Sequence, residues 1–249
     1  LQAVRAPLIG LLRAHAAAYH ELHLQAARAG VEIRVGVAHH LRVFDAWNRF
    51  NPLDKLLTRV LDNTFNWALP LALESGRIRI DVPFGLHVDQ WIPDLAGTQD
   101  FIGVNYYTRD LVKFTGPELS RNSLKVMPGA PVSDLNWEIY PEGLYRTLRN
   151  VQAYLPRRPI LITENGLADA RDSQREAFIR EHLKQVLRAV EADVPVEGYC
   201  HWSLLDNFEW SEGFDPRFGL YAVDYRHDFR RTLRASGLYF RSVARGGNL

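Results

Sequence analysis

The sequence contains one cysteine, Cys200, so no disulfide can form within the chain. Such scarcity is typical of proteins from a reducing compartment. The chain also lacks any apolar run close to the roughly 18 to 20 residues that a membrane-spanning helix needs. Its opening segment, Leu1–Arg13, lacks the pattern of a secretory signal. We therefore expect a cytoplasmic protein with no membrane partner.

An excess of charge of either sign is also lacking. Lys and Arg number 30 against 29 for Asp and Glu, which gives no reason to expect a nucleic-acid or anionic-membrane partner. At 249 residues, with 47% hydrophobic and 24% charged residues, the composition is that of a globular unit. No linker-like stretch divides the chain, and we expect a single domain over residues 1–249.

Short apolar runs alternate with longer helical patterns, which is typical of βα units around a parallel sheet. The strands are predicted at Val31–Val37, Phe101–Tyr107, Pro159–Thr163 and Val196–Trp202. The helices are predicted at Pro7–Ala29, Leu53–Leu73, Glu142–Tyr154, a segment beginning near Ser173, and Phe229–Val243. One helix followed by four strand-helix units indicates an α/β fold, half of a (β/α)8 barrel. An open doubly wound sheet is the alternative, although no glycine-rich phosphate loop follows any predicted strand.

The helix near residue 173 has the clearest helical pattern. Ser173 and Glu176 form a predicted capping box. An apolar stripe follows at helical spacing, formed by Ile179, Leu183, Val186, Leu187 and Val190. The connection over residues 108–140 contains Pro128 and Pro131 and is predicted to be a long loop.

Polar and aromatic side chains gather where the predicted strands end, which is where active groups stand in a barrel of this kind. These residues are Asn105, Tyr106, Tyr107, Glu164, Asn165, His201, Trp202, Asp206, Asn207, Glu209 and Trp210, and the long loop adds Trp137 and Glu138. Carboxylates and amides bind sugar hydroxyls, and an indole face packs on the C–H surface of a sugar ring. Phosphate chemistry would need Arg, Lys or helix amides instead. The sequence therefore indicates a carbohydrate site.

Glu164 directly follows an apolar strand. A glutamate in such a place commonly pairs with an arginine or caps a turn, and that structural role is an alternative. The turn residues Asn165 and Gly166 would instead present the carboxylate on a rigid strand, within reach of a tyrosine from the neighbouring strand end. Six histidines show no metal-ligand spacing and are interpreted as helix-surface or structural: His15, His20, His23, His39, His40 and His182.

Four sequence blocks, in order, resemble those of one enzyme family. They are Asp100–Tyr107, Trp137–Leu144, Ile162–Gly166, and Gly198–Trp210 with its continuation at Arg217–Leu220 and Val223–Asp224. Over nearly its whole length the chain resembles glycoside hydrolase family 1, the β-glucosidase and β-galactosidase family. The resemblance implies a (β/α)8 TIM barrel, of which this chain covers strands 5 to 8. It also implies a retaining β-glycosidase that hydrolyses terminal β-D-glucosides or related β-glycosides by double displacement, with no cofactor and no metal.

The resemblance implies the catalytic roles as well. Glu164 is the nucleophile, Tyr107 the phenol that orients it, and Asn105 a contact to the sugar at the reacting centre. The family's general acid, a Glu in an Asn-Glu-Pro segment, does not occur in this sequence. Leu1–Arg28 resembles the helix that follows the acid-bearing strand, so we expect the chain to begin just after that strand. Alone, it is expected to be inactive on substrates whose leaving group needs a proton.

Five further residues match substrate-binding positions of the family. Trp202 is the stacking platform for the sugar, and Glu209 and Trp210 bind its distal hydroxyls. Trp137 lines the leaving-group side, and Phe218 packs at the sugar pocket. The same residues could hold a glycan without turnover in a non-catalytic glycan-binding relative, which is the alternative function, although an intact Glu164 and Tyr107 argue against it.

A half barrel leaves two strands unpaired. The predicted end strands are Val31–Val37 and Val196–Trp202, and exposed strand edges recruit other chains. We therefore expect self-association or pairing with an amino-terminal half, besides binding of a small-molecule β-glycoside or oligosaccharide.

Overall fold

The structure is a computed structural model that describes residues 5–83, 85–116 and 123–246. The helices in these ranges are α1 (Arg5–Ala29), α2 (Pro52–Leu61), α3 (Ala68–Ser75), α4 (Pro141–Tyr154), α5 (Arg175–Glu191) and α6 (Ala235–Ala244). The strands are β1 (Gly36–Ala46), β2 (Arg77–Asp81), β3 (His87–Trp91), β4 (Phe101–Lys113), β5 (Ser123–Lys125), β6 (Ile160–Asn165), β7 (Val196–His201), β8 (Tyr221–Asp224) and β9 (Arg230–Leu233). None of these described helices is long and apolar enough to cross a membrane.

The main sheet consists of four parallel strands in the order β1, β4, β6, β7. Helices lie between successive strands in the chain, so the predicted βα succession is confirmed. Because all four strands run in the same direction, their carboxyl ends meet at one rim. β5 adds to β4 in the antiparallel sense, and two separate hairpins are formed by β2 with β3 and by β8 with β9. Among the described strands, β1 and β7 are the two ends of the main sheet.

The main core lies between this sheet and the helices α4 and α5. The sheet contributes Leu41, Ile102, Val104, Ile160 and Ile162, and the helices contribute Leu144, Leu148, Val151, Val186 and Ala189. Burying one such aliphatic side chain stabilises the fold by about 1.5–3 kcal/mol. Ile160 and Ile162 are fully buried, so the strand that leads to Glu164 is held firmly by its apolar side chains.

The predicted helix Leu53–Leu73 is confirmed, with one interruption. Asn51 caps α2 by accepting a hydrogen bond from the amide of Leu53 at 3.0 Å, and Pro52 occupies the first turn. Residues 62–67 then form a π-helical turn before α3 continues the helix to Ser75. Gly76 ends it in the left-handed conformation, at φ 79°.

The predicted strand Val31–Val37 is wrong in its bounds, because β1 runs from Gly36 to Ala46. The amides of Gly30 and Val31 bond back to the last turn of α1, and the amide of Val35 bonds to Asp100 at 2.7 Å instead of to a strand. β1 escapes a search for apolar runs because its middle carries His39, His40 and Arg42.

The predicted capping box and part of the apolar stripe of α5 are also wrong. The carboxylate of Asp169, rather than Ser173, accepts hydrogen bonds from the first free amides of the helix, those of Gln174 and Arg175 at 2.8 and 3.0 Å. Glu176 pairs with Arg180 instead. On the stripe, Leu187 and Val190 are 51% and 47% exposed. The buried face is formed by Phe178, Ile179, His182, Val186 and Ala189.

Two other segments differ from expectation. The predicted helix Phe229–Val243 begins only at Ala235, because residues 230–233 pair with β8 as the strand β9. The predicted loop over residues 108–140 contains the end of β4 and the short strand β5, and its residues 117–122 lie outside the described part of the chain. The hairpin of β2 and β3 was not predicted.

Candidate active site

A hollow of about 350 Å³ lies at the rim formed by the carboxyl ends of β1, β4, β6 and β7. It is lined by all eight residues that the family resemblance assigns a catalytic or substrate-binding role: Glu164, Tyr107, Asn105, Trp137, Trp202, Glu209, Trp210 and Phe218. Five residues not predicted for this site also line it: His40, Arg42, Leu135, Ser211 and Glu212. The hollow therefore combines carboxylates, a phenol and exposed indoles, which are the groups that bind sugars.

Tyr107 and Glu164 face each other across the pair of strands β4 and β6. The hydroxyl of Tyr107 donates a hydrogen bond to Oε2 of Glu164 at 2.6 Å. Burial raises the pKa of Tyr107 well above its ordinary value, and the hydrogen bond and charge of Glu164 add to the rise. The phenol therefore keeps its proton at any physiological pH and remains a donor to the carboxylate.

The residues beside Glu164 fix its strand end. The side-chain amide of Asn165 donates to the carbonyl oxygen of Tyr106 at 2.7 Å, and its oxygen accepts from the hydroxyl of Tyr199 at 2.8 Å. Asn165 is thus fully buried and hydrogen-bonded to the strands on both sides. A Cβ atom at Gly166 would collide with the carbonyl oxygen of Trp202, so only glycine allows the two strand ends to approach here. Glu164 is accordingly presented from a rigid position.

Asn105 lies next to Glu164 in the register of β4 and β6. It is 9% exposed, and its side-chain oxygen accepts a hydrogen bond from the hydroxyl of Thr163 at 2.5 Å. That bond leaves the side-chain NH₂ group of Asn105 as a donor beside the carboxylate.

One wall of the hollow is formed by the segment after β7. The indole nitrogen of Trp202 donates to Oε1 of Glu209 at 3.2 Å, and Trp210 is 81% exposed at the rim. Burial raises the pKa of Glu209, and the nearby charge of Glu164 contributes to the rise. The wall thus offers an acceptor carboxylate between two indoles.

The floor of the hollow is aromatic. Tyr107, Trp137 and Phe218 lie within ring-centroid distances of 5.7 to 6.3 Å of one another. Phe218 is 2% exposed, and the chain after it is held by Asp206, which accepts from the amide of Gly219 at 2.9 Å and from Arg234 at 2.8 and 3.0 Å. This network fixes the segment that carries Phe218.

Several strand-end residues expected at the rim do not line the hollow: Tyr106, Asn165, His201, Asp206, Asn207 and Glu138. Tyr106 is fully buried on the opposite face of β4, because neighbouring side chains on a strand point to opposite faces. Glu138 is 3% exposed and accepts two hydrogen bonds from Arg109, at 3.0 and 2.8 Å. Except for His201, these residues make hydrogen bonds that hold the strands and loops around the site.

The histidine interpretation also needs a correction. His40 lies on β1, not on a helix surface, and it lines the hollow together with Arg42. Burial lowers the pKa of His40 to about 4, and the charge of Arg42 acts in the same direction. His40 pairs in register with Asn105 on β4, a relation between two strands that no local sequence pattern shows. Across the described residues, no group of three or more His, Cys, Asp or Glu side chains could hold a metal ion.

A larger hollow of about 600 Å³ lies between α3 and the hairpin of β2 and β3, away from the strand ends. Its glutamate, Glu74, is held in an ion pair with Arg158 at 3.0 Å. It contains no counterpart to the pair formed by Tyr107 and Glu164 among its described residues, so the smaller hollow is the candidate active site.

Comparison with known proteins places the chain in a family of glycoside hydrolases. Residues 87–248 match the sequence model described as Glycosyl hydrolase family 1. The chain belongs to that family.

Three of the similar proteins carry the names of β-glycosidases. The β-galactosidase of Sulfolobus acidocaldarius is 34% identical over 251 residues, which cover 96% of this chain and 47% of that protein. Beta-glucosidase A of Thermotoga maritima is 38% identical over 159 residues, 60% of this chain and 35% of that protein. Among solved structures, the β-glycosidase from Pyrococcus horikoshii superposes with a TM-score of 0.81 at 36% identity, covering 94% of this chain and 52% of that one. The chain thus spans about half the length, or less, of the relatives it matches.

Proposed function

We propose that this chain is the carboxyl-terminal half of a retaining β-glycosidase in which Glu164 is the nucleophile. The observation that carries the proposal is the 2.6 Å hydrogen bond from Tyr107 to Glu164 inside an indole-lined hollow. A carboxylate used only for pairing would have an arginine or lysine as its partner, and the partner here is a phenol. The substrates are terminal β-D-glucosides or related β-glycosides, and the reaction needs no cofactor.

The reaction proceeds in two displacements. Glu164 attacks the anomeric carbon while a general acid protonates the departing oxygen, and water then releases the sugar from the carboxylate. Tyr107 holds the carboxylate in line, and the side-chain NH₂ group of Asn105 donates to the sugar beside the reacting carbon. Both groups act from β4, next to the nucleophile's own strand.

The rest of the hollow binds the two parts of the substrate. The sugar packs on Trp202 and Phe218, and its distal hydroxyls bond to Glu209 and to Trp210. Trp137 lines the side on which the leaving group departs. This division follows the family resemblance and agrees with the two walls of the hollow, after β7 and beside β1.

The general acid comes from an amino-terminal half that carries the family's Asn-Glu-Pro segment. That half adds its strands to the free edges of β1 and β7, closes a single (β/α)8 barrel, and places the acid roughly 5 to 5.5 Å from Glu164. We call the complex of this chain with that amino-terminal half the completed barrel. The protein works in the cytoplasm, in keeping with its single cysteine.

The test is covalent labelling of the completed barrel with a 2,4-dinitrophenyl 2-deoxy-2-fluoro-β-glucoside, whose leaving group needs no proton. Mass spectrometry is expected to find one sugar bound on the peptide that contains Glu164. Glu164→Gln should abolish both labelling and hydrolysis of an aryl β-glucoside, whereas Glu181→Gln, on the exposed surface of α5, should change neither. Sugar binding without labelling would overturn the proposal in favour of a non-catalytic glycan-binding protein.

The pairing is tested separately by sedimentation. Alone, this chain is expected to self-associate through its two strand edges, and addition of the amino-terminal half should convert it to a one-to-one complex. A monodisperse monomer that unfolds cooperatively without the other half would contradict the pairing.

A further inference from the structure

The larger hollow, of about 600 Å³, lies on the outer side of the helical segment that runs from α2 to α3. The π-helical turn over residues 62–67 separates it from the sheet. On the sheet side, the side chain of Asn66 bonds to the backbone of Arg42 on β1 at 2.9 and 2.7 Å. On the other side, Asn63, Thr64 and Trp67 line the hollow. We call it the outer hollow, because this helical layer lies between it and the strands that carry the candidate active site.

The outer hollow does not coincide with the strand edges proposed to bind the amino-terminal half. The helix α2 packs on both β1 and β4, inside the sheet, whereas that half adds to the outer edges of β1 and β7. The opposite wall of the hollow is the hairpin of β2 and β3, which belongs to the same chain. An occupant therefore has to come from solution.

Two polar side chains of the π-helical turn are free to bind such an occupant. Asn63 and Thr64 line the outer hollow, and their side chains make no hydrogen bond to any residue that the structure describes. A π-helical turn is rare and is found frequently at functional sites. An amide and a hydroxyl are thus presented side by side, each able to donate and to accept.

An exposed indole forms one wall. Trp91 is 61% exposed, yet its position is fixed, because a Cβ atom at Gly76 would lie only 3.1 Å from Cη2 of the indole. Trp67, which is 3% exposed, belongs to the floor: its Nε1 donates to Asp62 at 3.1 Å and its ring stacks on Tyr154 at a centroid distance of 4.3 Å. The hollow therefore offers a firmly placed aromatic face to a ligand.

The charges around the outer hollow balance one another. Arg77 donates to both oxygens of Asp89, at 2.5 and 2.7 Å. Arg79 is 66% exposed, lies 3.7 Å from Asp89, and makes no hydrogen bond within the described ranges of the chain. Asp81, on the same strand, is 85% exposed and supplies the balancing negative charge. Because Glu74 is neutralised by its ion pair, the hollow offers hydrogen bonds without a net charge.

These features distinguish three classes of ligand. A phosphate or nucleic acid is bound by an excess of positive charge, which this hollow lacks. A purely apolar molecule would cover Asn63, Thr64 and Arg79 without giving them hydrogen-bond partners, which costs free energy. A neutral sugar chain satisfies both requirements, because its C–H faces pack on the indole and its hydroxyls bond to the amide, hydroxyl and guanidinium groups. The hollow is also larger than the one of about 350 Å³ at the strand ends, so it accommodates more than one ring.

We propose that the outer hollow is a second carbohydrate site, which binds a neutral oligosaccharide chain without cleaving it. A chain bound there lies behind the helical layer and does not reach Glu164. Such a site holds the protein on a glycan while the strand-end hollow remains open. The two hollows share no lining residue, so this inference does not rest on the proposed function.

The test is ¹⁹F NMR of the completed barrel, with 5-fluorotryptophan in this chain only. The chain has six tryptophans, which report separately on the two sites. The outer hollow contains Trp67 and Trp91, the candidate active site contains Trp137, Trp202 and Trp210, and Trp47 lines neither. The probes are cellotetraose and maltotetraose, and Glu164→Gln is used throughout so that neither probe is consumed.

The Trp91 signal, identified by its loss in Trp91→Phe, is expected to shift saturably with at least one tetrasaccharide while the Trp47 signal stays in place. Arg79→Met should raise the dissociation constant of that shift about tenfold, because the sugar loses a hydrogen bond from a charged donor. Arg13→Met removes an exposed arginine on α1 outside the hollow and should leave the constant within about twofold. Unmoved signals of the other tryptophans in the unliganded variants show that the fold is retained.

The contrary outcomes are equally direct. A Trp91 signal that moves with neither tetrasaccharide at concentrations up to about 10 mM would overturn the proposal. A shift caused only by inorganic phosphate, or only by the apolar probe 4-nitrophenol, would do the same, as would a dissociation constant unchanged in Arg79→Met. Shifts of the Trp137, Trp202 and Trp210 signals report the other hollow, so a failure of the proposed function leaves this result readable.

Discussion

The phenol oxygen of Tyr107 lies 2.6 Å from Oε2 of Glu164, although the two residues are 57 positions apart in the chain. The contact forms because β4 and β6 are parallel neighbours whose carboxyl ends meet at the same rim. Burial of the phenol and the adjacent carboxylate both raise the pKa of Tyr107, which therefore acts as a hydrogen-bond donor and not as a base. In the proposed reaction this bond aims the nucleophile.

Replacement of Tyr107 by Phe is expected to lower kcat on an aryl β-glucoside by about 10- to 100-fold. A hydrogen bond to a charged group is worth about 1.5–3 kcal/mol, and each 1.4 kcal/mol corresponds to a factor of ten in rate. The ring would stay in place against Trp137 and Phe218. Tyr154→Phe, on the half-exposed tyrosine that stacks on Trp67, is the matched control. A loss of less than threefold at Tyr107 would argue against its orienting role.

The raised pKa of Glu209 predicts that substrate binding weakens in acid. Burial raises this pKa above its ordinary value of 4.5, so the carboxylate gains its proton at a higher pH than an exposed glutamate would. As pH falls through that raised pKa, Glu209 loses charge and its capacity to accept from sugar hydroxyls declines. We expect KM to rise as pH falls from 7 toward 4.5, and this rise should be absent in Glu209→Gln, whose KM is high throughout. If KM rose equally in acid in the parent and in Glu209→Gln, a group other than Glu209 would be responsible for the rise. Glu181→Gln serves as the surface control.

Much of the fold could be predicted because most strands and helices of the βα succession have a recognisable local pattern of apolar residues. β6 and β7 follow turn residues, and α4 and α5 bear recognisable apolar faces. β1 could not be placed correctly, because its middle carries polar residues, and two of them, His40 and Arg42, line the hollow. The hairpin of β2 and β3 does have a signal: Ile78, Ile80 and Val88 are buried while their neighbours face outward, which is the period of two of a half-buried strand.

The candidate site could be predicted only where a residue adjoins a recognisable sequence block. Glu164, Tyr107 and Trp202 belong to such blocks and line the hollow. Arg42 lines it from the same face of β1 as His40, and its backbone is held by the side chain of Asn66, 24 positions away, a contact that no local pattern encodes. Glu138 is the opposite case. It lies inside a family block but does not line the hollow, because its carboxylate forms an ion pair with Arg109.

The ion pair between Asp206 and Arg234 is expected to hold the sugar side of the hollow together. The side chains of Asp206 and Arg234 are 1% and 10% exposed. Burial alone would raise the pKa of Asp206, but the hydrogen bonds and charge of Arg234 hold it below its ordinary value. Arg234→Met should destabilise the completed barrel at pH 7 by about 2 kcal/mol, because Asp206 loses its charged hydrogen-bond donor and keeps only the more distant Arg217, at 3.6 Å, as an ion-pair partner. Urea unfolding measures this loss.

The pH dependence of that variant has a definite sign. A carboxyl group with a lowered pKa stabilises the fold above its ordinary pKa, and this contribution is lost as pH falls through the lowered value. The gap between parent and Arg234→Met should therefore narrow below about pH 4, as Asp206 becomes protonated. Adding Asp206→Asn to the variant should recover part of the stability at pH 7. A gap that stays constant with pH would contradict the ion pair, and Arg241→Met, on the exposed side of α6, should show almost no gap.

His182 is expected to make the fold sensitive to mild acid. It is fully buried on α5, stacks on Phe178 at a centroid distance of 3.8 Å, and donates from Nδ1 to the carbonyl of Phe178 at 2.8 Å. Burial lowers its pKa from 6.5 to about 4. Between these values the unfolded chain binds a proton that the folded chain does not, so the free energy of unfolding falls as pH falls through this window, by about 3 kcal/mol.

Urea unfolding of the completed barrel between pH 7 and 4 should show a shallower decline in His182→Gln than in the parent. His227→Gln, whose side chain is 77% exposed, should retain the parent's slope. If His182→Gln also retained that slope, the buried histidine would not be a source of the acid sensitivity.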